Sequence, residues 1–217
     1  MQLQVALDQV DLKPALKIAQ KVHTHVDIIE AGTPLIKSVG LQSVRALKKR
    51  FPKKLIDADM KAADVGDLET MIAARAGANI VHIMGITPLE TIEEAVKQAK
   101  KHPNLKITVD ICGIKELIGL KGLKSRIKKI EKLGAHYLEV HTTISQQRRG
   151  LKPFSDVRSI AKMTKLPLAV AGGINEKTVK NLKNIPNLEI IIVGNGITGA
   201  LDPAKAAQKI KQIINSF

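Results

Sequence analysis

The chain has 217 residues, 44% hydrophobic and 25% charged, a mixture that buries a sizeable core and excludes wholesale disorder. Its 35 Lys and Arg against 20 Asp and Glu leave a formal charge of +15, and a lone cysteine, Cys112, excludes an internal disulfide framework. No uncharged apolar run approaches the roughly 18–20 residues of a membrane span. The start, Met1-Gln2-Leu3-Gln4, carries neither a basic n-region nor a cleavage site, so no signal peptide and a cytoplasmic location are expected.

Short apolar runs alternate with longer amphipathic stretches along the chain. Leu3–Asp8 precedes a helical pattern at Leu12–Val22, Val26–Glu30 precedes Leu41–Arg50, and Leu55–Lys61 precedes Asp67–Ala76. Asn79–Met84 is followed by Leu89–Lys100, and Leu105–Ile111 by Lys124–Leu133. His136–His141 leads to Asp156–Lys165, Leu166–Ala171 to Glu176–Asn184, and Leu188–Val193 to Pro203–Ile214. The short runs are nearly apolar throughout, as parallel strands covered on both faces are. Eight such units in 217 residues, about 27 each, predict an α/β fold: a single-domain, eight-stranded parallel (β/α)8 barrel over residues 1–217. A doubly wound open sheet competes, but it rarely needs eight evenly spaced units. The longest connection, Cys112 to Gly122, holds three glycines and reads as a loop able to move over the barrel mouth.

The positive charge invites a nucleic-acid partner, but its distribution argues against one. Basic residues are scattered over the solvated faces of helical segments, and three Phe and one Tyr are too few for a base-stacking platform. The excess charge can still raise encounter rates with an anionic metabolite.

In such a barrel, chemistry sits at the C-terminal ends of the strands. Asp8, Glu30, the pair Asp59 and Lys61, Asp110 and His141 end runs one, two, three, five and six, and Gly172-Gly173 and Gly194-Asn195-Gly196 follow runs seven and eight. Alternation puts Asp59 and Lys61 on one face with Asp57 a step deeper, where a hydrogen-bonded structural carboxylate is expected. Lys61 between carboxylates stays protonated and is suited to stabilising an oxyanion or enolate, with a structural salt bridge as the plainer alternative. Glu30 and Asp59, on adjacent strands, suit a hard divalent cation such as Mg²⁺. The glycines allow backbone N–H groups to approach a phosphate, helped by the following helix; tight turns alone would also explain them. His141 suits proton transfer, and His82 is expected to be a packed interior residue.

These motifs, in order, resemble the hexulose-6-phosphate synthases and the wider superfamily of orotidine-monophosphate decarboxylase and 3-keto-gulonate-6-phosphate decarboxylase. The likeness covers essentially the whole chain: LQVALD ending at Asp8, DIIEAGTPLIKSVG around Glu30, ADMKAAD with Asp59, Lys61 and Asp64, and VDICG with Asp110. It continues through VHTTISQQ with His141, AVAGGI with Gly172 and Gly173, and IIVGNGIT with Gly194. The resemblance implies a homodimer, Mg²⁺ (or Mn²⁺) held through Glu30 and Asp59, and Asp64 reaching the partner's site. It further implies His141, Lys61, Asp64 and Asp8 as catalytic residues, and Asp110, Gly172, Gly173, Gly194 and Asn195 as substrate-binding residues for a sugar phosphate. Ile144, Asp110 and Asn195 stand where the keto-gulonate decarboxylase has arginine, glutamate and arginine, which favours the synthase. Thr143 and Ser145 depart from the synthase pattern, which has a glycine and an aspartate there, and Arg148-Arg149 stands where small residues are common.

The implied reaction is a metal-assisted aldol condensation of formaldehyde with D-ribulose 5-phosphate. Decarboxylation of a β-keto sugar-acid phosphate through the same enediolate, and a non-catalytic sugar-phosphate binder with a degraded site, are the alternatives.

Overall fold

The structure, a computed structural model, describes residues 1–217. Its strands are β1 (Gln2–Leu7), β2 (Ile28–Ala31), β3 (Leu55–Ala62), β4 (Ile80–Met84), β5 (Lys106–Asp110), β6 (Tyr137–His141), β7 (Leu168–Ala171) and β8 (Leu188–Val193). Each pairs in parallel with the next, and β8 pairs with β1, so the sheet closes on itself. The fold is therefore a (β/α)8 barrel, and the open-sheet alternative falls because no edge strand remains.

The helices are α1 (Leu12–Val22), α2 (Thr33–Val39), α3 (Gln42–Arg50), α4 (Gly66–Ala76) and α5 (Leu89–Ala99), then α6 (Ile114–Leu133), α7 (Ile144–Arg148), α8 (Phe154–Ala161), α9 (Asn195–Thr198) and α10 (Pro203–Asn215). Strand side chains alternate between two environments. Leu3, Val5 and Leu7 of β1 point outward into the main core shared with the helices, whereas Gln4 and Ala6 face the barrel interior. The helices answer with apolar stripes: Ala15, Ala19 and Val22 recur at helical spacing in α1 and are buried. α10 opens on Asp202, whose carboxylate accepts the Lys205 N–H, with Pro203 in the first turn. No helix is long and apolar enough to cross a membrane.

Two expectations need correction. The Cys112–Gly122 segment is not a loop: α6 begins at Ile114 and is kinked at Gly119, whose φ of 67° and ψ of 176° are non-helical. Ile114 is buried at the start of this segment, whereas residues 115–121 are all exposed. Conversely, Glu176–Asn184 yields only a 3-10 turn at Val179–Leu182. There the Asn175 carboxamide accepts the Lys177 N–H and the Thr178 hydroxyl accepts the Asn175 N–H, local bonds that compete with a helix. The short helices α2, α7 and α9 went unpredicted because one or two turns carry no readable period.

Candidate active site

At the C-terminal ends of the strands opens a cavity of about 880 Å³. Its wall carries Asp8, Glu30, Asp59, Lys61 and His141 from the ends of β1, β2, β3 and β6, and Gly172, Gly173, Gly194 and Asn195 from the turns after β7 and β8. Two expected residues are not brought to it. Asp110 is fully buried beneath Lys61 and His141. Asp64 is exposed on the turn after β3, where its carbonyl accepts the Thr91 hydroxyl.

Lys61 organises the floor. The β3–β4 register shifts between Ala58 and Ala62, and Lys61 adopts a φ of 47°, an uncommon left-handed conformation for a lysine. A bulge of this kind re-aims a side chain, so the ammonium's position is set by more than strand alternation. Its Nζ lies 2.9 Å from both Asp59 Oδ1 and Asp110 Oδ2. Burial alone would lower its pKa, but Glu139, Asp110 and Asp59 outweigh burial and lock the ammonium in its charged form. Burial likewise acts to raise Asp59, yet His82, Lys61 and the Thr33 hydroxyl hold it below the usual carboxylate range. Thr33, the first residue of α2, donates to Asp59 Oδ2 at 2.5 Å.

His141 Nδ1 lies 3.2 Å from Asp110 Oδ2. Burial would depress its pKa, but the hydrogen bonds to Asp110 and Cys112 and the charge of Glu139 push it up to about 11. The histidine therefore rests as an imidazolium, not as the near-neutral group its residue type suggests. Asp110 is driven the other way: burial is overcome by the His141 hydrogen bond, by Lys61 and by the Cys112 N–H, which it accepts at 2.9 Å.

The interior is overcharged with carboxylates. Asp8, Glu30, Asp57, Asp59, Asp110 and Glu139 face only Lys61, His82 and His141, and neither Asp8 nor Glu30 pairs with any cation. Burial, then the charge of Asp59, pushes both unpaired carboxyls above their ordinary values. Asp8 is wedged so closely that a Cβ at Gly32 would stand 2.2 Å from its Oδ1, which only glycine permits. Hard oxygen donors carrying surplus negative charge at a cavity wall fit a divalent cation of the Mg²⁺ type.

His82 is not merely packed. Its Nε2 lies 2.8 Å from Asp57 Oδ2, and its Nδ1 lies 2.9 Å from Glu139 Oε2 and 3.5 Å from Asp59 Oδ1. Burial opposes its protonation, but Asp57 and Glu139 win and hold it well above its ordinary value. Gln4 Nε2 donates to Glu30 Oε2 at 2.6 Å and to Asp57 Oδ2 at 2.7 Å, so Asp57 is the hydrogen-bonded carboxylate the sequence suggests. Gln4 and Glu139 escaped the sequence reading because they lie inside strands, away from the ends. The available signal was a polar residue within an otherwise apolar parallel strand.

The opposite wall is built from backbone. Gly172 has a φ of 109°, and a Cβ there would stand 2.5 Å from the Thr142 carbonyl oxygen. No full helix follows either glycine turn: a 3-10 turn follows β7 and the four-residue α9 follows β8. The expected help from a helix N-terminus is thus confined to turn N–H groups. Lys152 and Arg148 line the same cavity, and a Cβ on Gly173 would lie 2.8 Å from Lys152 Nζ, so an ammonium stands over the turn. Lys152 was missed because it lies between two helices, distant from any strand end. Thr143 caps α7: its hydroxyl accepts the Gln146 N–H at 3.3 Å, and Gln146 Oε1 accepts the Thr143 N–H at 2.9 Å. Ser145 is exposed and makes no side-chain hydrogen bond, so it does not orient His141; Asp110 does.

Fold and mouth together define a class: a (β/α)8-barrel enzyme whose charged side chains and glycine turns share one cavity. The Orotidine 5'-phosphate decarboxylase / HUMPS family model matches residues 1–210, and the chain belongs to this family. It is 39% identical over 216 residues to the 3-hexulose-6-phosphate synthase of Bacillus subtilis (strain 168), covering 99% of each chain. The crystal structure of 3-hexulose-6-phosphate synthase from Salmonella typhimurium superposes with a TM-score of 0.91 at 37% identity, covering 100% of this chain and 99% of that one. A crystal structure of KGPDC from Streptococcus mutans superposes with a TM-score of 0.90 at 28% identity, covering 99% of this chain and 97% of that one.

Proposed function

We propose that this chain is an aldehyde-lyase that condenses formaldehyde with D-ribulose 5-phosphate to a hexulose 6-phosphate. One observation carries the reading: the continuous run of contacts Asp59–Lys61–Asp110–His141 at the floor of a cavity whose other wall is glycine turns. Full-length identity to named synthases supports it over the decarboxylase and over a non-catalytic binder. Ile144 lines the cavity at the position that, by resemblance, carries the decarboxylase's arginine.

Glu30 and Asp59 would hold Mg²⁺ or Mn²⁺, and such an ion, when bound, polarises the ketose oxygens and acidifies the neighbouring C–H. His141, once it has given up its own proton to solvent, takes the C–H proton and passes it on. The C–H bond breaks, its electron pair forms the new bond to the formaldehyde carbon, and the proton ends on the former aldehyde oxygen. Lys61, locked as an ammonium, stabilises the negative charge that develops on the enediolate oxygens. Asp8 orients sugar hydroxyls. The turns at Gly172, Gly173, Gly194 and Asn195, with Lys152 and Arg148, hold the phosphate and so fix the reacting carbon by remote binding energy. Asp110 touches none of these atoms and acts by positioning Lys61 and His141. Asp64, outside its own chain's cavity, is offered to a partner in a cytoplasmic homodimer.

The test is formaldehyde consumption by the purified protein with ribulose 5-phosphate. Consumption that stops with EDTA and returns with Mg²⁺ is expected. No consumption under any metal condition overturns the reading, and CO₂ release from a β-keto sugar-acid phosphate would replace it with the decarboxylase.

A further inference from the structure

At and below the cavity floor lies a cluster to which the proposed reaction assigns no step. Asp57 of β3, His82 of β4 and Glu139 of β6 are each at most 3% exposed and meet inside the barrel. Burying three ionisable groups is costly, and apolar side chains of similar volume commonly serve stability as well or better. This barrel shows that solution itself: Ile28, Ile80, Tyr137 and Ile190 fill interior positions on β2, β4, β6 and β8. Stability therefore does not account for the charged cluster.

Its outward contacts do. His82 Nδ1 lies 3.5 Å from Asp59 Oδ1, on the same carboxylate that Lys61 and Thr33 hold from other sides. Asp57 shares the Gln4 carboxamide with Glu30, and that bond fixes Glu30 Oε2 while Oε1 has no protein donor. Gln4 is tied to both carboxylates at 2.6 and 2.7 Å, so neither can rotate without breaking a short bond. The cluster therefore reaches both cavity-facing carboxylates from below, through one imidazole and one amide.

We propose that Gln4, Asp57, His82 and Glu139 form a positioning layer that holds Glu30 and Asp59 in the orientation required to bind a divalent cation. The proposal rests on the metal reading above; Glu139 also borders the cavity, and none of the four residues is assigned a step on the substrate. Outer partners of this kind typically set metal affinity by about 10- to 100-fold.

The experiment titrates Mn²⁺ by electron paramagnetic resonance against the full-length protein, His82→Gln, and the triple variant Asp57→Val, His82→Val, Glu139→Val, with a thermal melt of each. The parent is expected to bind Mn²⁺. His82→Gln should raise the Mn²⁺ dissociation constant about 10-fold or more. Its activity should recover with excess metal, and its KM for the sugar phosphate at saturating metal should stay unchanged. The triple variant should melt no lower than the parent while losing metal affinity, which a merely structural cluster would not do. Should the triple variant fail to fold, His82→Gln decides alone. A folded His82→Gln protein that binds Mn²⁺ as tightly as the parent overturns the positioning layer and leaves the metal reading standing. A parent that binds no Mn²⁺ overturns both.

Discussion

The two walls of the mouth solve different problems by different means. On the wall from β1 to β6, charged side chains are held by one another: Lys61 bridges Asp59 and Asp110, and Asp110 in turn grips His141. On the wall after β7 and β8, backbone does the holding, with glycines at φ values of 109° and 64° and an exposed lysine above them. On the proposed function, the first wall exchanges protons with the bound molecule and the second holds its phosphate. Catalysis and binding should therefore separate cleanly when each wall is damaged in turn.

The largest expected effect is on the first wall. His141→Ala should lower kcat by about 10²- to 10⁴-fold with little change in KM for the sugar phosphate. Unchanged turnover would show that no proton passes through this imidazole. On the second wall, Gly172→Ala forces a Cβ against the Thr142 carbonyl at a φ of 109°. It should lower kcat/KM by roughly 10- to 100-fold, mainly through KM. A loss confined to kcat would contradict the division between the walls. Lys152→Ala removes an exposed charge, and its effect should be only about 5-fold, again in KM.

The first wall also predicts a pH response. His141 has its pKa raised to about 11, so it can accept a proton only after losing its own, and turnover should climb as pH rises toward that value. Asp110→Asn removes one of the groups that raise it, so burial, which lowers it, is opposed only by Cys112 and Glu139. The imidazole titration followed by NMR should then move to lower pH, and the rising limb of activity with it. The stability linkage has the same sign. A raised histidine pKa contributes stability that is fully present below about 6.5. That contribution is lost as pH rises through about 11, so the parent should lose more stability across that window than Asp110→Asn. An unmoved imidazole titration would break the link between Asp110 and His141.

The two walls were also unequally legible. The strand ends at Asp8, Glu30, Asp59 and His141 could be read directly, because parallel strands announce themselves as apolar runs and a charge at the end of one stands out. The glycine turns were legible for the same reason. What lay inside the strands was not: Gln4, His82 and Glu139 matter through partners on other strands, and one chain read alone gives no pairing. The φ of 47° at Lys61 depends on a register shift between strands, which leaves no local trace in Asp-Met-Lys. Lys152 reaches the cavity only because the chain after α7 folds back over the glycine turn.

The smallest effect comes from the residue that departs most visibly from the synthase pattern. Thr143 stands where that pattern has glycine, yet here it opens α7 with a reciprocal cap to Gln146. Glycine is also tolerated at such a position, so Thr143→Gly should cost only a few tenths of a kcal/mol. Thr143→Ala, which lacks both the hydroxyl and the backbone freedom, should cost about 1 kcal/mol and lower Tm by about 2–4 °C. α7 carries Ile144, Gln147 and Arg148 to the cavity, so the alanine variant should also weaken sugar-phosphate binding while the glycine variant leaves it near parental. Equal melting and equal KM for the two variants would mean that the cap does not hold this stretch of the wall, and that Arg148 reaches the cavity by some other constraint.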